Sequence, residues 1–168
     1  MSPHRKILSL EQLPAWRQAL RAAGKKLVVT NGCFDILHVG HVTYLEAARA
    51  HGDALLVGVN SDESVRALKG PGRPINPEQD RALVLAALEC VDAVCIFHEV
   101  QATRFLEAAR PDVWAKGGDY TLETLEQAER KLVEQLGGKI VILPLVPGKS
   151  TTALLQKMAK LGSGAAAR

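Results

Sequence analysis

Thr30-Asn31-Gly32-Cys33-Phe34-Asp35-Ile36-Leu37-His38-Val39-Gly40-His41 is the stretch that decides how this chain folds. The run Leu27-Val28-Val29-Thr30, largely β-branched, predicts a buried strand. It breaks at Asn31-Gly32, and a helical pattern starts at Val39. Positions three apart share one helix face, so His38 and His41 are expected to point together above the strand's carboxyl end. Ligands bind there in open α/β sheets. Gly40 between them has no side chain, so a flat group can pack on the helix backbone. The free N–H groups and dipole of a helix N-terminus favour anions, and imidazoles add donors aimed at developing charge. The combination suits a polyphosphate. Histidines at this spacing also serve zinc, but Asp35 is the one further ligand type close in sequence.

Composition bounds the rest. A chain of 168 residues is one domain of ordinary size, able to bury a core without staples. Hydrophobic content of 47% and charged content of 23% describe a soluble globule. A net charge of +3 is too mild to imply nucleic acid and suits small anionic molecules. Cys33, Cys90 and Cys95 are odd in number and lack CxxC spacing, so neither a disulfide framework nor a zinc site is indicated. No leader pattern and no apolar run near the ~20 residues of a membrane span is present. The expected location is the cytoplasm, with no membrane partner.

Outward from the opening stretch, apolar runs alternate with helical patterns. A helix is expected from Ser9 to Ala23, ending at Gly24, as an N-terminal extension over 1–24. The histidine helix should run from Val39 to Ala50. Strands are expected at Ala54–Val59, Ala93–Phe97, from Val113, and at Lys139–Leu143, which with Leu27–Thr30 makes five. Helices are expected near Glu63–Leu68, Pro77–Leu88, Gln101–Ala109, Thr124–Leu136 and Thr151–Leu161. Short apolar strands alternating with helices mean βαβ units and a parallel sheet. The single domain should span 1–161, with 162–168 as a flexible tail.

Three further segments carry chemistry-bearing residues. Gly148-Lys149-Ser150-Thr151-Thr152 opens the last helix. It lacks the glycine a P-loop needs five positions earlier, where Leu143 stands. Its hydroxyls serve either a plain N-cap or a phosphate, and three of them beside a lysine favour phosphate. Lys116-Gly117-Gly118-Asp119 ends a strand, either as an ordinary turn or as a place where backbone approaches a ligand closely. Lys69 and Arg73 flank Gly70-Pro71-Gly72, which is a solvated loop or a mobile phosphate clamp.

With these residues assembled, the chain resembles the nucleotidyltransferase superfamily marked by His-x-Gly-His, and within it the ADP-heptose synthases. The resemblance rests on TNGCFDILHVGH, GDALLVGVNSDESV, LKGPGRPINPEQDRALVLAALECVD, RPDVWAKGGDY and PGKSTTALL, which together with the N-terminal helix are spread along the chain from about Ile7 to Leu161. It implies a Rossmann-like three-layer α/β/α fold and transfer of AMP from ATP to D-glycero-β-D-manno-heptose 1-phosphate. By the same resemblance His38, His41 and Lys69 are catalytic. Asn31, Gly32, Cys33, Phe34, Gly40, Lys116, Gly148, Ser150, Thr151 and Thr152 bind the nucleotide. Asp35, Arg73 and Asp119 bind the acceptor. Mg²⁺ would come with ATP, with no protein metal cage. A homodimer and a separate heptose-phosphate kinase are implied as well.

The chain also departs from its relatives. Glycerol-phosphate cytidylyltransferases carry arginines where this chain has Glu89-Cys90-Val91-Asp92 and Leu145-Val146-Pro147-Gly148-Lys149. That opposes the rival reading, a CTP-dependent enzyme acting on a polyol phosphate. A second rival is a nucleotide-binding module without turnover. His98-Glu99-Val100-Gln101-Ala102-Thr103 and Gln127-Ala128 replace an acidic Asp-Thr-Pro stretch and a Gly-Ala pair usual in ADP-heptose synthases.

Overall fold

The computed structural model describes residues 2–118 and 120–165. Its strands are β1 (Ile7–Leu8), β2 (Leu27–Gly32), β3 (Ala54–Asn60), β4 (Ala93–Phe97), β5 (Val113–Gly117) and β6 (Lys139–Leu143). Its α-helices are α1 (Leu13–Ala22), α2 (Val39–Arg49), α3 (Asp62–Lys69), α4 (Glu78–Ala86), α5 (Thr103–Ala109), α6 (Gln127–Gln135) and α7 (Thr151–Ala165). One parallel sheet orders the strands β1-β4-β3-β2-β5-β6. The sheet therefore has six strands among the described residues, not the expected five. The added strand is β1, which pairs Ile7 with Val94 and Leu8 with Cys95. Two residues are too short to show any alternation. Gln12, expected inside the first helix, lies in a 3₁₀ turn, Leu10–Gln12, capped by Ser9. At the other end α7 runs on to Ala165, past the expected stop at Leu161.

The strands separate two cores because successive side chains point to opposite faces. Val28, Leu55, Val57, Val59 and Val94 pack with Leu45 and Ala48 of α2 and with Ala82 and Leu85 of α4. Leu27, Val29, Leu56, Cys95 and Trp114 pack with Leu13 of α1, Phe105 and Leu106 of α5 and Val133 of α6. Every residue of β3 is buried, as a central parallel strand covered on both faces must be. The layers are helix, sheet, helix.

This strand order fixes where a ligand can bind. From β2 the chain moves through β3 and β4, then returns to β5 on the other side of β2. Such a reversal opens a crevice at the carboxyl ends of the two strands. Register shows the opening directly. β2 pairs with β3 along its whole length, but with β5 only through Val28–Val113 and Val29–Trp114. Tyr44 of α2 spans the gap: its hydroxyl lies 2.7 Å from Thr30 Oγ1 and donates to Ala115 O at 3.0 Å. Burial pushes its phenol up to about 12, so it stays neutral.

Candidate active site

His38 and His41 meet above the carboxyl end of β2. They do so differently from the shared helix face expected of them. His38 is the N-cap of α2, with extended backbone, while His41 lies in the first turn. The His38 carbonyl accepts the His41 N–H at 2.9 Å. Their rings stack with centroids 3.9 Å apart and an interplanar angle of 29°. Nδ1 of each ring is buried and has no hydrogen-bond partner among the described residues. Burial, reinforced by the His38 neighbour, lowers His41 to about 4. Burial and then the Lys149 ammonium lower His38 as well. Both imidazoles are neutral at pH 7 when no anion is bound.

Gly40 serves this pair rather than a flat ligand. A β-carbon there would lie 2.9 Å from His38 Nδ1 and 3.1 Å from Lys149 Cβ. The space that glycine opens is filled by the chain's own histidine and lysine. The paired glycines at the end of β5 and just past it behave alike: a β-carbon on Gly117 would meet Tyr44 at 2.8 Å, and one on Gly118 would meet Leu145 at 3.0 Å.

The loop from β2 to α2 is held under strain. Phe34 has φ of 47°, a left-handed conformation that bulky residues rarely adopt and that costs about 1–3 kcal/mol. Its ring packs against His41, with centroids 5.5 Å apart. The loop stays in place because Asp35 is fully engaged. Its Oδ2 accepts Arg73 Nε at 2.7 Å and Ile75 N–H at 2.9 Å, and its Oδ1 accepts Ile75 and Asn76 N–H groups at 2.8 and 3.0 Å. Burial alone pushes this carboxyl up, but the Asn76, Ile75 and Arg73 bonds outweigh it and the net shift is downward. Asp35 and Arg73 are therefore brought together by each other. Both oxygens of Asp35 are thus taken up by protein donors, whereas Arg73 spends only its Nε on this bond.

Arg81 of α4 is the residue that sequence reasoning missed. It is 2% exposed and donates to Cys33 O at 2.6 Å, Asn76 O at 3.0 Å and Asp62 Oδ1 at 2.8 Å. One guanidinium joins the β2–α2 loop, the 70–76 loop and the start of α3. A signal was available, since Arg81 stands four residues before buried Leu85 and so shares its face.

The remaining expected residues divide. Asn31 Oδ1 accepts the Trp114 indole at 3.0 Å, and Gly32 ends β2 against the Phe34 ring. Burial pushes the Cys33 thiol up, opposed by the charges of Lys69, Arg81 and Arg73. Lys69 is the exposed last residue of α3. Lys116, the last residue but one of β5, has its ammonium 5.1 Å from the centre of the Trp114 ring and 5.4 Å from that of Tyr120. Burial lowers its pKa, opposed by Glu129 and Cys33. Asp119 lies outside the described residues.

At the start of α7, Gly148 takes a left-handed φ of 72°. Ser150 Oγ accepts the Ala153 N–H at 3.1 Å, the plain cap. Thr151 Oγ1 donates to Ile36 O at 3.2 Å, which fastens α7 to the histidine loop. Thr152 is exposed. Two helix N-termini thus converge on the stacked histidines.

Residues 29–157 match the family model described as cytidylyltransferase-like. The chain belongs to the cytidylyltransferase-like family. Among its relatives, the bifunctional protein HldE of Methylobacillus flagellatus is 52% identical over 154 residues, covering 92% of this chain and 31% of that protein. HldE of Pseudomonas paraeruginosa is 53% identical over 158 residues, covering 94% and 33%. The chain spans about a third of the length of these relatives. A crystal structure of the lipopolysaccharide core biosynthesis protein from Thermoplasma volcanium is 30% identical, with a TM-score of 0.59, covering 73% of this chain and 98% of that one. Pantoate-beta-alanine ligase from Francisella tularensis, at 15% identity, TM-score 0.55, and coverage of 82% and 66%, shares the fold. For this cytidylyltransferase-like chain, no helix among the described residues is long and apolar enough to cross a membrane.

Proposed function

We propose that this protein is an adenylyltransferase that moves AMP from ATP to D-glycero-β-D-manno-heptose 1-phosphate, releasing pyrophosphate and forming ADP-heptose. The observation that carries the reaction class is the pair of stacked, neutral histidines at the N-terminus of α2, faced by the N-terminus of α7. Neutral donors and helix-end N–H groups suit a polyphosphate whose charge shifts during reaction. The acceptor phosphate is already a nucleophile, so the site needs no strong base. Its work is to hold two phosphates in line and stabilise charge.

In this reading His38 and His41 contact the α- and β-phosphates, and the start of α7 with Ser150, Thr151 and Thr152 grips the departing end. Lys69 and Lys116 add charge around the crevice. Asp35 and Arg73 act indirectly, by shaping the 70–76 loop. Mg²⁺ fits this donor set as an ion carried on the nucleotide, since Asp35, the carboxylate of the histidine loop, is spent on protein donors. Bound there, it would neutralise phosphate charge. Bifunctional relatives matched over one third of their length, and a relative named for lipopolysaccharide core biosynthesis, support the sugar assignment. A kinase must supply the sugar 1-phosphate, and a homodimer belongs to the same reading.

Pyrophosphate release scanned over nucleotides and sugar 1-phosphates tests it. Turnover with ATP and the heptose phosphate is expected. Turnover with CTP and a polyol phosphate instead would overturn it, and absence of any turnover would leave a binding module.

A further inference from the structure

The end of the sheet opposite the histidines carries a cluster of arginines that adenylyl transfer does not use. Asp112, just ahead of β5, accepts the Leu27 N–H on Oδ2 at 2.7 Å and donates its own N–H to Leu27 O at 3.0 Å. It marks the amino ends of β2 and β5, roughly 16 Å along β2 from the strand end that leads into the histidine loop. Here Arg17 of α1 is 2% exposed. Its Nη2 donates to Asp112 Oδ1 at 2.8 Å and its Nε to Arg110 O at 2.9 Å. Its Nη1 is buried and has no partner among the described residues. A buried donor without an acceptor is costly and rare.

Arg17 forms part of the wall of a cavity of about 430 Å³, with Pro14, Gln18, Arg21, Glu107 and Arg110 also lining it. Arg21 lies one turn beyond Arg17 on the same face of α1. Arg110 is the C-cap of α5, with a left-handed φ of 46°. Both are exposed, and neither forms an ion pair among the described residues. Three guanidinium groups thus share a cavity with one carboxylate, Glu107, an excess of two positive charges. Burial lowers the Arg17 pKa; Asp112 opposes this, while the charges of Arg21 and Arg110 add to it. The three cations repel one another, and an anion among them reverses that field. Helix C-termini attract cations, which accounts for Arg21 and Arg110 at the ends of α1 and α5. It does not account for the Nη1 that Arg17 leaves without an acceptor.

We propose that this cavity is a second ligand site, remote from the histidines, which binds a phosphoryl dianion, either as inorganic phosphate or as the phosphate of a small metabolite. Guanidinium forks match phosphate oxygens in geometry as well as charge. A phosphoryl group offers oxygens in three or more directions, which suits arginines arriving from two helices better than a flat carboxylate does. Its charge of nearly two at neutral pH balances the excess in the wall. The site binds its anion whether or not the protein turns over nucleotide.

Amide NMR of the whole chain, titrated with inorganic phosphate at an ionic strength held constant with sodium chloride, separates the two ends of the sheet. Phosphate should shift the amides of residues 15–22 and 107–110 along one saturating curve, distinct from that of residues 31–41. Arg21→Gln combined with Arg110→Gln removes two charges and leaves the bond between Arg17 and Asp112 in place. In this variant phosphate should bind about ten-fold more weakly at 15–22 and 107–110, with the curve at 31–41 unchanged. Glu107→Gln removes the carboxylate from the wall and should tighten phosphate there about three-fold. Glucose 1-phosphate distinguishes the sources: tighter binding than phosphate at 15–22 and 107–110 makes a metabolite the ligand, and weaker binding makes it free phosphate. Absence of a saturable shift at these residues would overturn the site, as would the same shifts with chloride alone. Full affinity in the double glutamine variant, or weaker binding in Glu107→Gln, would overturn it too.

Discussion

Proton bookkeeping at His41 tests the site one residue at a time. Its folded value of about 4 lies well below the roughly 6.5 of an exposed histidine. Between these values the unfolded chain holds more protons, so this contribution to stability is complete above about pH 6.5 and is lost as pH falls toward 4. Denaturant midpoints across that window should drop for the unaltered protein and flatten in His41→Asn. A phosphate against the rings reverses the balance, because a negative neighbour favours the imidazolium. ATP binding near pH 6 should therefore take up protons, read as binding enthalpies that depend on buffer ionisation. A buffer-independent enthalpy would remove the phosphate from His41. If the histidines act on the transition state, His41→Ala should lower kcat by about 10²-fold or more and change ATP affinity little. A loss confined to affinity would make His41 a binding residue only.

Among the elements, α4 does what its apolar pattern conceals. Arg81 serves three acceptors from three segments, and its side chain is fully buried beside Asp62. Arg81→Met leaves two carbonyls and a carboxylate short of donors, a loss of about 3 kcal/mol or more. Urea unfolding should show that loss, and proteolysis should open the loop between Lys69 and Asn76. Arg81→Lys offers no fork for three divergent acceptors and should rescue neither. Full rescue by lysine would mean that only charge matters there. The long elements were legible because each of the five main strands is a run of apolar residues bounded by turns. β1 was not, since a two-residue strand exists only through its partner β4. Asp35 and Arg73 were legible as charged residues near the site. Their mutual bond was not, because it joins segments 38 residues apart and depends on how the 70–76 loop returns. The sequence reads the glycines at 40, 117 and 118 as places where a ligand approaches the backbone, but it cannot say that His38, Lys149, Tyr44 and Leu145 lie against them.

At the scale of the molecule the site joins two parts of unequal hold. β2 and α2 grow out of a core buried on both sheet faces. The last helix has no fully buried residue from Thr151 to Leu161, and Thr151 ties it to the histidine loop through a side-chain bond to Ile36. Segments with few buried contacts open at low free energy, so α7 amides should exchange with solvent well before those of β2 or β3. A polyphosphate gripped at both helix N-termini adds a bridge that the empty site lacks. Saturating ATP at about 100 times its Kd stabilises the bound form by about 2.7 kcal/mol. If α7 is half of the clamp, protection should rise across its first turns, near Thr151–Leu155, by up to about a hundred-fold. The same experiment with AMP, which lacks the departing phosphates, should protect the β2–α2 loop and leave α7 nearly unchanged. Protection by ATP confined to β2 and α2 would remove α7 from the phosphate site, and with it the two-sided grip on the nucleotide.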